Sequence, residues 1–325
     1  MSTTPATLAS VLDAGGPALK RALERIEKRL ADVAAGHGAE LAGHASGTLA
    51  AGGKRLRPVV VVLSGGEGDA VTSAAAAVEL LHMATLVHDD VLDAARLRRG
   101  VPTVFAVGGR GAATATGDLL FSRAFAELAS TRSAPAVQAL STASSALARG
   151  ELMQRADAWS ATVSADRYLE RCELKTASLF AAAARLGATL GDSPGAADGL
   201  AVFGRRIGLA FQILDDVLDV SGPAERTGKH RGTDLLDGTV TLPLIIARER
   251  DPDLADMDLA AFVTEPAQAD AVCDRIAKTG ALGTAREQAL GYVAEAKAAL
   301  GEIELPADRL HALGLVADGV VARYA

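Results

Sequence analysis

Residues 71–97, VTSAAAAVELLHMATLVHDDVLDAARL, decide the fold class of this 325-residue chain. The stretch is rich in Ala, Leu, Val and Met, with apolar residues at helical spacing. It closes on three aspartates and an arginine, so we predict a buried helix that ends where the charge begins. Glu79 and His82 interrupt the apolar run, and we therefore expect the helix to lie in a protein core rather than to cross a bilayer.

The same composition recurs along the whole chain. Similar stretches are LKRALERIEKRLADVA (19–34), AVQALSTASSALARGELMQRADA (136–158), LAVFGRRIGLAFQILDDVLDV (200–220) and GTAREQALGYVAEAKAALGEI (283–303). The competing strand candidate, PVVVVLSGG (58–66), has no partner strands at regular spacing, so we interpret it as a buried helix with Pro58 in its first turn. No Pro-, Gly- or Ser-rich linker divides the sequence. We predict an all-α fold in which residues 1–325 form a single large helical domain.

Composition excludes several classes of function. Hydrophobic residues make up 49% of the chain, the formal net charge is −7 and aromatic residues contribute 3%. A general nucleic-acid surface requires a basic field and stacking rings, so nucleic acid is not expected as a partner. The two cysteines, Cys172 and Cys273, lie far apart, and the N-terminus lacks a basic segment followed by an apolar run. A cytoplasmic location is the expectation.

The aspartates of HDDVLD indicate a metal site. Asp89 and Asp93 are four residues apart and therefore share one face of a helix, with Asp90 beside the first. Like charges at this spacing repel, and a divalent cation relieves that repulsion. Carboxylates, waters and a substrate phosphate are the ligands that Mg²⁺ prefers. The alternative for a lone cluster of this kind is a solvated helix end.

A second cluster of the same form makes the metal interpretation stronger. In FQILDDVLDV, Asp215, Asp216 and Asp219 again follow an apolar helical stretch. If the two helix ends face each other, six carboxylates form one mouth that holds magnesium ions around a diphosphate. Metal ions neutralise the charge that develops on a departing diphosphate, so the expected chemistry is ionisation of a carbon–oxygen bond.

Two basic groups accompany the acids. GGKRLRP contains Lys54, Arg55 and Arg57, and LRRG contains Arg98 and Arg99 just after the first cluster. Such runs are often solvated surface, but arginine forks also bind phosphate oxygens in pairs. Two phosphate sites, one with metal and one without, imply two diphosphate substrates.

These residues together resemble a known family, the trans-prenyl diphosphate synthases of the polyprenyl synthetase family. The stretches GGKRLRP, HDDVLDAARLRRG, KTASLF, FQILDDVLD and GTDLLDGTVTLPL match its motifs in order and at similar spacing, from about residue 50 to residue 245. The resemblance implies an isoprenoid synthase bundle around a deep central cavity. It also implies condensation of isopentenyl diphosphate with an allylic diphosphate, with release of diphosphate.

The resemblance assigns roles residue by residue. Metal binding falls on Asp89, Asp93 and Asp215, supported by Asp90, Asp216 and Asp219, with three Mg²⁺ ions per site once substrate is bound. The allylic site and the cation-stabilising groups would comprise Arg98, Lys175, Thr176, Gln212 and Lys229. The isopentenyl diphosphate site would comprise Lys54, Arg57, His82 and Arg99. Many relatives carry lysine where DGTVTLP has Thr239, which removes one expected allylic phosphate contact.

Product length follows from the helix that carries the first acidic cluster. Residues one and two turns before Asp89, which are Leu81, Ala84 and Thr85, should face the growing chain. The resemblance implies that an aromatic at Ala84 or Thr85 would block the pocket. Because neither is bulky, we expect a product of C20 or longer. Close helix packing is the alternative reason for small residues here.

Several alternatives remain at this stage. The resemblance implies a homodimer, but a catalytic or regulatory subunit of a heteromeric polyprenyl synthase is also compatible with the sequence. A class I terpene cyclase would use a similar aspartate site, yet it would have no need of GGKRLRP. A peripheral membrane contact for product release is a further expectation.

Overall fold

The computed structural model describes residues 7–36, 39–50, 55–98, 100–222 and 230–322. Within these ranges, the residues up to 222 contain ten helices: α1 Leu8–Ala14, α2 Gly16–Ala35, α3 Ala39–Ala50, α4 Leu56–Gly65, α5 Asp69–Leu92, α6 Val104–Ala129, α7 Ala134–Ala156, α8 Ala165–Cys172, α9 Ser178–Leu190 and α10 Ala197–Ser221. The described residues from 230 to 322 contain seven more: α11 Thr233–Leu236, α12 Leu242–Arg250, α13 Pro252–Ala255, α14 Leu259–Phe262, α15 Pro266–Lys278, α16 Ala281–Leu300 and α17 Ala307–Ala322. The prediction of an all-α fold is confirmed.

Short irregular elements join some of these helices. A π-helical turn, Glu173–Ala177, separates α8 from α9, and a 3₁₀ turn, Pro194–Ala196, precedes α10. Two-residue strands, β1 Leu97–Arg98 and β2 Val101–Pro102, pair antiparallel as a small hairpin. The hairpin directly follows the end of α5 and carries Arg98.

Helix α5 forms the centre of the bundle. It packs against α4, α6 and α9, and its alanines, valines and leucines from Val71 to Val87 are buried, except Leu86, which is half-buried. By length and hydropathy α5 could cross a bilayer, so the prediction that Glu79 and His82 make it too polar to span a membrane is wrong. Because 78% of its most apolar window is buried inside the protein, the weak membrane signal is that of a core helix.

Helix α4 confirms the interpretation of residues 58–66 as helix rather than strand. It begins with Leu56, places Pro58 in its first turn and buries every residue from Pro58 to Gly65. Its backbone touches that of α9, since a Cβ built on Gly187 would lie 2.1 Å from the carbonyl oxygen of Val61. This close approach fixes α9, and with it the π turn that precedes α9.

The π turn lies between two helices that matter for the site. It packs against both α7 and α10, so residues of the turn can contact either helix. A π turn, which is one residue wider than an α-helical turn, is frequently found at functional sites. The ends of α5 and α10, α7 and this turn together define the candidate site.

Candidate active site

The three aspartates of the first cluster close α5 as predicted. Asp89 and Asp90 lie in its last turn, and Asp93 follows as the C-terminal cap. Asp90 is 5% exposed, whereas Asp89 is half-buried and Asp93 is exposed. The central aspartate therefore points into the protein, and the outer two share the face that opens to solvent.

Each of these acids has a cationic neighbour. Arg98 of the hairpin donates to Asp90, with its Nε 2.8 Å and its Nη2 2.7 Å from Oδ1. Arg155, at the end of α7, places its Nη2 2.5 Å from Asp93 Oδ1 and its Nε 2.7 Å from Glu151 Oε1. Lys175 Nζ lies 2.5 Å from Glu151 Oε2. In this arrangement arginines and lysine neutralise the acidic helix end.

The surroundings of Asp89 disfavour the ionised form of its carboxyl. Burial raises the pKa of its carboxyl to about 6, and the charges of Glu151 and Asp93 act in the same direction. The positive charges of Lys175 and Arg98 oppose that rise. Charged groups of both signs thus act on Asp89, and a cation bound beside it would favour its ionised form.

The second cluster closes α10 with the same pattern of burial, in which the middle aspartate is buried and the outer two are more accessible. Asp216 is 4% exposed, while Asp215 and Asp219 are half-buried. The Tyr168 hydroxyl donates to Asp216 Oδ2 at 2.6 Å, and the Gln212 amide donates to Oδ1 at 2.8 Å. Asp90 and Asp216 are therefore enclosed by the protein. The expectation that six carboxylates line one mouth is wrong for these two.

The pKa of Asp216 is also raised, to about 8, chiefly by burial and then by the charge of Asp234. Asp234 belongs to the segment after the second cluster, and its backbone N–H donates to Asp219 Oδ2 at 3.2 Å. Asp219 thereby ties the end of α10 to that segment. The segment continues to Thr239, whose N–H donates to the Asp234 carbonyl at 2.7 Å.

The π turn connects the two clusters. Its consecutive residues Lys175 and Thr176 face opposite ways: Lys175 contacts Glu151 and Gln154 of α7 and acts on Asp89, whereas the Thr176 hydroxyl donates to Gln212 Oε1 at 2.6 Å. Gln212 in turn holds Asp216. Two neighbouring residues of one turn thus serve both acidic helix ends.

The predicted isopentenyl diphosphate site is partly described. The Arg57 guanidinium lies 4.4 Å from the centre of the Phe180 ring, and burial lowers its pKa to about 10. Its buried Nε has no hydrogen-bond partner in the part of the chain that the structure describes. Arg55 instead bridges Glu27 and Glu79, which is a structural role. Lys54, Arg99 and Lys229 lie outside the described residues.

The residues predicted to face the growing chain lie along α5. Leu81 and Ala84 are fully buried, and Thr85 is half-buried with its hydroxyl donating to the His82 carbonyl at 2.7 Å. His82 is half-buried two turns before Asp89 on the same helix. None of the positions 81, 84 and 85 carries an aromatic ring.

The carboxylates suit an open Mg²⁺ site, in which the substrate supplies part of the coordination. Among the residues that the structure describes, no three His, Cys, Asp or Glu side chains converge to enclose an ion. Mg²⁺ commonly keeps several waters and takes one or two carboxylates plus substrate phosphates, so a closed protein cage is not required. The carboxylates of Asp89 and Asp93, joined by the substrate, fit that description.

Sequence reasoning missed several site residues. Glu151, Gln154 and Arg155 of α7 contact Lys175 or Asp93, and Tyr168 and Arg171 of α8 lie beside the second cluster. In GELMQR, polar residues at helical spacing on an otherwise apolar helix were the available signal. Nothing in the sequence alone pointed to Tyr168 or Arg171.

Comparison with known proteins gives one consistent result. The sequence profile of the family described as Polyprenyl synthetase matches residues 39–279. A geranylgeranyl diphosphate synthase of Methanosarcina mazei is 37% identical over 257 residues, which cover 76% of this chain and 79% of that protein. Component 2 of the heptaprenyl diphosphate synthase of Geobacillus stearothermophilus is 40% identical over 239 residues, covering 72% and 75%.

A solved structure agrees over nearly the whole chain. The polyprenyl synthase of Caulobacter crescentus, crystallised with calcium and isoprenyl diphosphate, superposes with a TM-score of 0.91 at 34% identity. The match covers 99% of this chain and 100% of that one.

Proposed function

The chain belongs to the polyprenyl synthetase family, and we propose that its two acidic helix ends catalyse the head-to-tail, trans condensation of isopentenyl diphosphate with an allylic diphosphate. The enzyme is a Mg²⁺-dependent prenyltransferase that releases diphosphate. The observation that carries the proposal is the π turn: the charge of Lys175 acts on Asp89 of the first cluster, while Thr176 donates to Gln212, which holds Asp216 of the second.

The outer aspartates are the proposed metal ligands. Asp89, Asp93 and Asp215 would hold Mg²⁺, with three ions once the allylic diphosphate is bound, and Asp90, Asp216 and Asp219 would support them. When bound, the metal neutralises the charge that develops on the departing diphosphate. The half-buried or exposed positions of Asp89, Asp93 and Asp215 support their assignment as ligands, because a ligand must remain reachable. Asp219 is half-buried as well, but its Oδ2 accepts the backbone N–H of Asp234, which fits a supporting role.

The basic residues divide between the two substrates. Arg98, Lys175 and Lys229 would bind the allylic diphosphate, and Lys54, Arg57, His82 and Arg99 would bind isopentenyl diphosphate. The unsatisfied Nε of Arg57 supports the second assignment, because a buried guanidinium donor without a partner is costly and an anionic ligand would satisfy it.

The reaction requires no protein nucleophile. The C1–O bond of the allylic substrate breaks and both electrons leave with diphosphate. The π electrons of the isopentenyl double bond then join its C4 to that C1, and a C2 proton passes to the departing diphosphate. Thr176 and Gln212 offer oxygen dipoles to the developing cation. Burial raises the pKa of both Cys172 and Cys273 to about 12, so neither thiol ionises to trap the cation at neutral pH.

The product is C20 or longer. The relatives make geranylgeranyl and heptaprenyl diphosphates, and no aromatic ring stands at Leu81, Ala84 or Thr85 to stop a growing chain early. The deep cavity that such a chain would occupy stays a prediction.

The assembly and location belong to the proposal as well. We expect a homodimer in the cytoplasm, with a heteromer as the second candidate because one relative is named component 2 of its synthase. Exposed Leu92, Leu97 and Leu152 each adjoin a site residue in sequence, at 51%, 63% and 71% exposure. Such leucines would support a peripheral membrane contact where an apolar product leaves.

The test is a product assay. The purified protein is incubated with labelled isopentenyl diphosphate, Mg²⁺ and, separately, C5, C10, C15 and C20 allylic diphosphates, and products are sized by chromatography. The expected result is a ladder that ends at one length of C20 or longer and disappears in excess chelator. A folded protein that forms no product with any primer would instead favour a subunit that needs a partner.

A further inference from the structure

Arg171 is a buried cation that the reaction scheme above leaves unused. It lies in α8 and is 3% exposed. Its Nη2 donates to the Val240 carbonyl at 2.5 Å, and its guanidinium carbon lies 5.2 Å from the centre of the Tyr168 ring. Its Nη1 is buried and has no hydrogen-bond partner within the described part of the chain. A buried, half-satisfied guanidinium is costly unless its charge has a use.

The acidic group near Arg171 is Asp216 of the second aspartate cluster. The Tyr168 ring beneath its guanidinium carries the hydroxyl that holds Asp216, and the charge of Arg171 acts on Asp216 directly. Asp234 acts on the same carboxyl with the opposite sign. Arg231, a cation that contacts the end of α10, is occupied by Asp274 and the Val220 carbonyl.

The contact with Val240 places Arg171 beside a position that lacks a charge. Thr239 is the preceding residue, and it stands where the family resemblance implies a lysine. Thr239 is half-buried, and its backbone is fixed by the Asp234 carbonyl. Position 239 therefore carries no positive charge, but Arg171 of α8 brings one to the adjacent residue, Val240.

We propose that Arg171 is a positioning residue for the second aspartate cluster, supplying from the protein interior the positive charge that a lysine at position 239 would supply from the loop. The inference rests on the proposed function, because it assigns Arg171 to the diphosphate-binding end of that same site. Fixed charge in a poorly solvated site acts strongly on a bound diphosphate even without direct contact.

The experiment separates the charge of Arg171 from its hydrogen bond. Arg171→Gln keeps a donor for the Val240 carbonyl and removes the charge, whereas Arg171→Lys keeps the charge. Binding of inorganic pyrophosphate with Mg²⁺ is measured by calorimetry, and KM is measured for each substrate. We expect Arg171→Gln to weaken pyrophosphate binding and raise the allylic KM about tenfold, with the isopentenyl KM changed less than about twofold. Arg171→Lys should stay within about threefold of the original chain.

A second substitution tests the exchange of charges. Thr239→Lys in the Arg171→Gln background should restore pyrophosphate affinity, with a gain at least about fivefold larger than the same change gives in the original chain. Equal gains in both backgrounds would mean that the two positions are independent and would overturn the inference. Arg185→Gln is the matched control, because Arg185 pairs with Asp198 and is 42% exposed.

The outcome can be interpreted even if Arg171→Gln does not fold or the original chain is inactive. If Arg171→Gln does not fold, Thr239→Lys alone still decides: a change below about threefold in pyrophosphate affinity supports the inference, and binding about tenfold tighter contradicts it. If the original chain forms no product, the proposed function fails. If it forms product and folded Arg171→Gln binds pyrophosphate normally, this inference alone fails.

Discussion

At the scale of single residues, the two aspartate clusters share one geometric rule. In each DDxxD, the first and last aspartates lie on one helix face, while the middle one is turned by about 100°. The outer face opens to solvent, so the middle residue enters the protein, where Asp90 meets Arg98 and Asp216 meets Tyr168 and Gln212. The middle aspartates thus hold the helix ends, and the proposed metal ligands Asp89, Asp93 and Asp215 lie on the outer faces.

Asp89→Asn should remove turnover while stabilising the metal-free protein. The folded state raises the pKa of this carboxyl from 3.8 to about 6, so ionisation destabilises the fold increasingly between these values and fully above the higher one. The neutral amide escapes that cost, and in chelator at pH 8 the free energy of unfolding should rise by about 3 kcal/mol. Urea unfolding at pH 8 and pH 5 checks this, with a smaller gain at pH 5. Normal turnover in this variant would refute the metal assignment.

Tyr168→Phe should weaken the second cluster. The substitution removes the hydroxyl that donates to Asp216 at 2.6 Å in a fully buried position. Loss of a buried hydrogen bond to a carboxyl costs about 1–3 kcal/mol, so the free energy of unfolding should fall by that amount and turnover should fall with it. Urea unfolding and steady-state kinetics measure both effects. Tyr292→Phe is the control, since the Tyr292 ring stacks with Arg206 near the surface, and a similar loss there would refute a specific role.

At the scale of elements, the π turn is the part that makes one site from two helix ends. It can contact α7 closely because position 150 has no side chain: a Cβ on Gly150 would lie 2.7 Å from the Lys175 backbone nitrogen. The Glu151 side chain, next in α7, then reaches Lys175. The spacing between α7 and the turn therefore sets where the lysine points.

Gly150→Ala should disturb catalysis more than it disturbs secondary structure. The added methyl would force the backbone of the π turn away from α7, and a displacement of about 1 Å in a catalytic group can cost about a hundredfold in rate. We expect kcat to fall by at least about tenfold and the free energy of unfolding by about 1–3 kcal/mol. Steady-state kinetics and urea unfolding measure these effects.

The matched control lies in another helix. A Cβ on Gly291 of α16 would meet no atom within 4 Å, so Gly291→Ala should leave kcat unchanged and raise the free energy of unfolding by about 0.5–1 kcal/mol. Equal effects of the two substitutions on kcat would contradict the importance of the contact at Gly150.

At the scale of the whole molecule, α6 exposes apolar side chains that an isolated monomer would leave in water. After the non-helical Gly109, Phe121 is 37% exposed and shares a helix face with Phe125, their rings 5.3 Å apart; before Gly109, Val107 is 70% exposed. Helix α6 packs on α5, which carries the first aspartate cluster. A partner on this face would therefore brace the helix that bears the metal ligands.

Phe121→Glu should convert the expected homodimer to a monomer. A carboxylate buried in the dimer interface would cost several kcal/mol of association free energy. In a symmetric dimer both subunits carry the substitution, so the interface would bury two such charges. Sedimentation velocity would show the change in mass. Leu290→Glu on α16 would serve as the control, because the Leu290 side chain is 41% exposed. A dimer that survives Phe121→Glu but not Leu290→Glu would place the interface elsewhere.

The sequence by itself determined the helices, their acidic ends and the chemistry of those ends. Helical spacing is local, so it was enough to predict that α5 and α10 would each end on carboxylates that share a face. Only the tertiary structure decided which cation meets which acid: Asp93 pairs with Arg155, 62 residues away, and Arg171 contacts Val240, 69 residues away. Such pairs depend on how helices pack, through contacts like that of Gly150 with the π turn, and no local pattern records them.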